Sequence, residues 1–534
     1  MRFSRESKQF DPELTVLPAL ICCIDVWTER AASPNASLDL APPYSFAENE
    51  IHHSDSHGDD LHVSCPPHTT ERKLITKIDW RVIPLLCILY LLAFLDRVNI
   101  ANANVYGLAK ELGLSGNKYN NALVIFFVPY ILFEIPSNIL LKKFKPHVWL
   151  SGCMFMFGLV TLLQGFVKSY SGLLATRFFL GFFETGMFPG CFYLIGMWYT
   201  RREAQKRYSF FFSSTTLAGA FGGLLAAAIG NLNLTNTRYS GWRWIFIIEG
   251  AVTCIVSFCF YFVLPDFPEE AKWLREDERS YIASRLRADQ GRSARERAIT
   301  GKDVANVFRD FKVFLGGFMY FGLIVPAYGY AYFSPGIIRS FGYSPIQTQL
   351  HSVPPWACAF GFAMLLATLS DATRHRAGYA IFAICVAITG FGILITVHNN
   401  IASDTLSIRK LQYAGLFLVA MGAYSAMPIV VCWFNMNLGG HHRRSVGSAW
   451  QVGFGNIGGI IAVYAFLAKD APRYLPGYAI CIAFTCVSIA SCISYLIACA
   501  WQNRRRAGAP TDVGLTEYEK TEMGDLSPTY RYQL

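Results

Sequence analysis

The chain has 534 residues, of which 53% are hydrophobic and only 16% charged, and its formal net charge is +10. A soluble domain carries about 25% charged residues, and several almost uncharged windows here are long enough to cross a bilayer, which excludes an ordinary soluble protein. The excess of Lys and Arg is assigned to basic loops on the cytoplasmic face of a membrane protein rather than to nucleic-acid binding.

Residues 1–76 are polar and irregular, and a disordered cytoplasmic tail is expected. "LPALICCIDVW" (17–27) is too short to span and lacks a small-residue cleavage site in the usual place, so it is not read as a signal peptide. His52, His53, His57, His62 and His68 cluster in this region. A solvated tail explains them better than a metal site. Most of the 15 cysteines lie inside apolar runs and form no CxxC pair, so they are read as small buried side chains.

Hydrophobic runs begin at residue 82. Twelve are expected: 82–104, 120–141, 147–168, 172–199, 208–230, 242–264, 313–334, 348–369, 378–397, 411–434, 446–468 and 477–501. Each is near the ~20 residues a helix needs to cross about 30 Å of hydrocarbon. A transmembrane β-barrel would need alternating segments of roughly ten residues, which are not seen. The predicted class is an all-α multi-pass membrane protein with six-helix bundles at 77–264 and 312–503. A charged loop at 265–311 separates them, and a cytoplasmic tail follows at 504–534. Apolar residues at helical spacing in the loop (Trp273, Leu274, Tyr281, Ile282, Leu286) predict a partly helical segment at the membrane surface.

Lys and Arg counts orient the chain. "LKKFKPH" (141–147), "TRREAQKR" (200–207), the central loop, "HHRRS" (441–445) and "QNRRR" (502–506) fall on one side. Both termini are therefore expected in the cytoplasm. The outer-side sequon is Asn233-Leu234-Thr235, making Asn233 a glycosylation candidate, whereas Asn35 lies in the inner tail.

An ionisable residue inside hydrocarbon costs at least about 2.5–3.5 kcal/mol and is a functional hypothesis by default. The first span carries "LAFLDRVNIANAN", with Asp96 and Arg97 adjacent. Ending the span at Leu95 would place them in water, but would leave only about 14 residues, too few to cross. In the second span Glu134 precedes Pro136, and a structural pairing is as plausible as a transport role. The fourth carries "RFFLGFFETGMFPG" (177–190). Seven residues turn a helix by about 700°, so Arg177 and Glu184 share a face, roughly 10.5 Å apart along the axis. They cannot pair directly. Each needs another partner or a wet cavity. Arg177 could instead snorkel from a helix start; Glu184, deeper in the run, could not. A buried carboxyl near an arginine can bind and release protons. A buried guanidinium suits bidentate recognition of a carboxylate or phosphate. Arg97 and Arg177 are thus expected to bind an anion, and Asp96 and Glu184 to handle protons.

"IDWRVIPLLCILYLLAFLDRVNIANA" (78–103), "RFFLGFFETGMFPG", "GWRWIFIIEG" (241–250) and "GNIGGIIA" (455–462) together resemble the anion:cation symporter family of the major facilitator superfamily. Within it the chain looks similar to the fungal allantoate permease branch, which includes nicotinate carriers. The resemblance covers roughly 75–505. It implies a twelve-helix fold of two bundles with inverted repeats and a site near the midplane. It also implies the anion and proton roles above for Arg97, Arg177, Asp96 and Glu184, and less directly a substrate contact at Tyr332 in "YGYAYFSPGII" and at Asn456 in "GNIGG". The loop after the second span, "SNILLKKFKPHVW", keeps basic charge but lacks the superfamily's acid. The second-half copy, "LSDATRHRAG", retains Asp371, Arg374 and Arg376 as gating or interface charges.

The resulting expectation is a monomeric, plasma-membrane symporter taking up a small organic anion with protons. A metabolite exporter is the alternative, and a non-transporting nutrient sensor a further one. No cofactor, metal or catalytic motif (HExxH, GxSxG) is expected.

Overall fold

In the computed structural model the described residues are 65–230, 240–290, 301–399, 405–439, 441–471, 473–508, 525, 527–528 and 530–534. Asn233, Asn35 and the histidines at 52, 53, 57 and 62 lie outside them. Among the described residues there are helices and no strands.

Twelve long helices follow in order. They are α1 (Glu71–Val105), α2 (Lys118–Lys143), α3 (Pro146–Gln164), α4 (Tyr170–Trp198), α5 (Arg201–Gly230), α6 (Gly241–Val263), α7 (Phe311–Ser340), α8 (Pro345–Thr373), α9 (Ala377–Asn399), α10 (Thr405–Met436), α11 (His441–Ala465) and α12 (Leu475–Ala507). Eleven of these qualify as membrane spans by length and composition among the described residues; α2 is the other long helix. α4 breaks at Thr185–Gly186 into Tyr170–Glu184 and Met187–Trp198.

Packing repeats between the two halves. α3 lies on α6 as α9 lies on α12; α1 lies on α5 as α7 lies on α11; α2 lies on α4 as α8 lies on α10. The halves meet where α2 packs on α11, α5 on α8 and α10, and α1 on α7. At one end they are joined by hydrogen bonds. Asn120 Nδ2 donates to the carbonyls of Val463 (2.6 Å) and Phe466 (3.0 Å), and Gln349 Nε2 to that of Asn102 (3.5 Å).

Close helix contact needs small residues. A Cβ on Gly181 of α4 would lie 2.1 Å from the Phe126 carbonyl oxygen of α2. Backbone cannot yield as a side chain can, so Gly181→Ala must push α2 and α4 apart. The expected cost is about 1–3 kcal/mol, the usual range for overpacking. Thermal unfolding of the purified protein, followed by fluorescence-detected size exclusion, checks it.

Element limits differ from the expected ones at both ends. α1 starts at Glu71 rather than 77, because one face of its first turns packs against the loop. Leu74, Ile75 and Ile78 pack with Trp198, Tyr281, Ile282 and Leu286, and Lys77 Nζ bonds Glu278 Oε2 at 2.7 Å. The loop helix is Glu276–Gln290, with Trp273 stacked on Trp198 at 5.4 Å. A second surface helix spans Gly301–Phe308. α12 continues to Ala507, and the last described residues lie against the bundle. Asp525 pairs with Arg443 at 2.7 Å, Tyr532 sits over Lys312 and Arg506, and the Gln533 carbonyl accepts from Trp433 Nε1 and Asn437 Nδ2, both at 2.9 Å.

Candidate functional site

α1 remains helical through Val105, and every residue from Ala93 to Ala103 is buried. Asp96 is 1% exposed and Arg97 3%, so the alternative in which the span ends at Leu95 fails. Neighbouring residues on a helix point about 100° apart. Asp96 and Arg97 therefore look toward different partners.

Arg97 looks between the halves. Its Nε donates to Glu184 Oε1 at 3.0 Å, and its Nη2 bonds the same oxygen. Its Nη1 bonds the Tyr328 hydroxyl on α7. The guanidinium also lies 5.0 Å from the rings of both Phe126 and Tyr130 on α2. A cation over aromatic faces gains a further electrostatic attraction. Four helices, α1, α2, α4 and α7, thus converge on one side chain.

Arg177 is the eighth residue of α4 and among the largest fully buried side chains. The snorkelling alternative fails with it. Nη1 donates to the Arg97 carbonyl at 3.1 Å; Nε and Nη2 have no hydrogen-bond partner. Tyr332 and Tyr119 are among the polar groups around it. Tyr332 stacks on Tyr328 at 5.7 Å, and Phe127 stands edge-on to both. Arg97 has a carboxylate on it and Arg177 does not. The free fork of Arg177 matches the two oxygens of a carboxylate or phosphate.

Asp96 looks away, toward α3 and α6. The Thr253 and Thr161 hydroxyls flank its carboxyl, and Glu249 lies nearby. Glu249 is buried and accepts a hydrogen bond from Asn99 Nδ2.

The remaining expected residues are spread out. Glu134 is buried at the α2–α11 junction, where a Cβ on Gly453 would be 3.3 Å from its Oε2; neither oxygen has a hydrogen-bond partner. Asn456 is buried on α11, between Gly453 and Gly459, whose Cβ would meet the Phe127 ring. Asp371 and Arg376 form an ion pair at the far end of α8, with Lys206 of α5 near Asp371. Arg374 is exposed and caps α8 at φ 58°. These three stand at the opposite end of α8 from Gln349, away from Arg97.

Tyr328, Tyr130 and Glu249 were not singled out in the sequence. Tyr328 had a signal: it precedes Tyr332 by four residues and so shares its helix face. Glu249 had one too, as a carboxyl nine residues into a span. Tyr130 had none. Beside Tyr328 a narrow cavity is lined by Tyr90, Phe94, Thr215, Tyr424 and Met427.

The profile described as Major Facilitator Superfamily matches residues 86–495. An uncharacterised transporter of Schizosaccharomyces pombe is 34% identical over 479 residues, covering 90% of this chain and 93% of that protein. The MFS-type transporter cnsO of Penicillium expansum is 32% identical, covering 87% and 91%. The major facilitator-type transporter hxnP of Emericella nidulans is 31% identical, covering 87% and 93%. Among solved structures, a bacterial homologue of the human lysosomal transporter Spinster, inward-facing and unoccupied, shares the fold with a TM-score of 0.56 at 15% identity, covering 78% of this chain and 96% of that one.

Proposed function

Since the chain belongs to the major facilitator superfamily of transporters, we propose that it is a proton-coupled symporter of the anion:cation type, carrying a small organic anion such as a monocarboxylate, vitamin or ureide acid into the cell. The observation that carries this reading is the buried, half-partnered guanidinium of Arg177 beside the closed Arg97–Glu184 pair. A buried guanidinium that no carboxylate hydrogen-bonds, with Nε and Nη2 unpartnered, is costly in a low-dielectric setting. An anion relieves that cost and cations do not. The aromatic wall of Phe127, Tyr328 and Tyr332 suits a flat or partly apolar anion body.

In this reading Glu184 is the switch. Ionised, it occupies Arg97. Protonated, it releases Arg97 to join Arg177 on the anion. Tyr332 and Asn456 line the path, Asp96 serves the protons, and Glu134, Asp371, Arg374 and Arg376 hold the halves or gate them. The charge rule puts the Asn120–Phe466 end outside, both termini inside and the carrier in the plasma membrane as a monomer. One proton moving with one monoanion carries no net charge, so only the pH gradient drives it. An extra proton adds about 2.3 kcal/mol per 100 mV, roughly fifty-fold in accumulation.

The test is uptake of labelled organic acids into transporter-deficient fungal cells at external pH of about 5 and about 7.5. Faster uptake at the lower pH, lost with a protonophore, is expected for at least one acid. Uptake of none, with the protein verified at the cell surface, overturns the reading in favour of export or sensing.

A further inference from the structure

Asp96 and Asn99, three residues apart, share a face of α1, and Asn99 Nδ2 bonds Glu249 Oε2 on α6, which brings the two carboxyls to the same space between α1 and α6. Both are buried, at 1% and 4% exposure. Glu249 Oε2 is held by Asn99 Nδ2, while Glu249 Oε1 and both Asp96 oxygens have no hydrogen-bond partner. Thr253 is entirely buried, and its hydroxyl faces Asp96 without closing a hydrogen bond. Opposite, Thr161 of α3 donates to the Phe157 carbonyl at 3.0 Å. Gln164, one turn along the same face of α3, is buried with neither end of its amide partnered.

The charges that reach this spot are few. From α4, Arg177 and Glu184 act on Asp96. On α6 itself, Cys254 lies within range of Asp96. α3 offers only the neutral Thr161 and Gln164. Among the described residues no cation is hydrogen-bonded or ion-paired to Asp96 or Glu249.

The balance is then simple. Around this space Arg97 and Arg177 supply two positive charges, and Asp96, Glu184 and Glu249 can supply three negative ones; buried Glu134 stands apart, beside Gly453 at the α2–α11 junction. Fully ionised, the buried region carries one uncompensated negative charge, which costs several kcal/mol. Two adjacent carboxyls with no cation between them do not both ionise, and their titration belongs to the pair.

We infer that Asp96 and Glu249 form a buried proton-binding pair, distinct from the Arg97–Glu184 pair, of which one member is protonated in the substrate-free carrier. Asn99 fixes the Glu249 end, and Asn102 Nδ2, at 3.2 Å from Asn99 Oδ1, continues the polar file along α1 toward Gln349 of α8. The proton on the pair leaves Glu184 free to stay ionised on Arg97. The pair's place in the transport cycle rests on the symport reading above; its protonation does not.

The test reads the proton itself. Infrared spectra of the full chain in lipid vesicles, recorded from about pH 5 to about pH 9, show the carbonyl stretch of protonated carboxyls, and exchange into D2O marks it by its shift. The wild type is expected to keep such a band at neutral pH. Glu249→Gln is expected to lose the pair's part of it, leaving only what buried, unpartnered Glu134 contributes, with Asp96 then ionised against Arg177. Asn99→Leu keeps both carboxyls but removes the donor, and is expected to shift the band frequency while retaining its intensity. A wild-type spectrum with no protonated carboxyl at neutral pH overturns the inference. So does a band of the same intensity in Glu249→Gln, or the same frequency in Asn99→Leu. Because no substrate enters this measurement, a failed uptake assay leaves its result standing, and a failed band leaves symport standing.

Discussion

Glu184→Gln is expected to abolish proton-driven accumulation while leaving some exchange of substrate between two filled compartments. The side chain keeps its shape and loses its charge and its proton. Arg97 then loses the only carboxylate that bonds it among the described residues. With two units of pH gradient, coupling of one proton supports about 100-fold accumulation, since each unit corresponds to about 1.4 kcal/mol. In the variant that ratio falls to about one. Exchange survives because it needs the loaded carrier to turn over and no proton to be released. Substrate binding at neutral pH is not expected to weaken, since Gln mimics the protonated acid and leaves both arginines available. The measurement is uptake into proteoliposomes under an imposed pH gradient, beside counterflow in the same vesicles. Net accumulation at the wild-type level would remove Glu184 from the proton cycle.

Arg177→Ala is expected to lose anion binding. Truncating one member of a buried, hydrogen-bonded charge pair costs about 2–5 kcal/mol, which is roughly a 30-fold to several-thousand-fold loss of affinity. Arg177→Lys keeps the charge but not the planar fork, and an intermediate loss is expected. The bond from Nη1 to the Arg97 carbonyl also goes in the alanine variant. A fold defect must therefore be separated from a binding defect. Unfolding temperature without substrate reads the first, and its rise on adding the acid found by the uptake panel reads the second. An unchanged rise in Arg177→Ala would return Arg177 to a purely structural place in α4.

Much of the fold was legible along the chain. Hydrocarbon leaves a backbone no partner but itself, so each apolar run of about 20 residues has to become a helix. That is why α1–α12 stand where the apolar runs do. It is also why Asp96, Arg97, Arg177 and Glu184 stood out: among so few charges within spans, each one is costly and therefore conspicuous. The spacing of Arg177 and Glu184 further required that they not bond each other, and each does bond elsewhere, to the Arg97 carbonyl and the Arg97 guanidinium.

What the sequence by itself determined is thus the one-dimensional part: helices, their number and most of the intramembrane charges, with buried Glu249 of α6 passed over. Only the tertiary structure decided which charge meets which. Arg97 and Glu184 are 87 residues apart, and Arg97 and Tyr328 are 231 apart. No periodicity within a helix encodes the rotation of one helix against another; that is set by packing, as where Gly181 lets α4 press onto the Phe126 carbonyl of α2. The same rotation turned Asp96 away from its neighbour Arg97 and toward Glu249, dividing what reads as one Asp-Arg motif between two sites. The physical reason is the 100° step between adjacent helical residues: in a packed bundle, neighbours in sequence serve different interfaces.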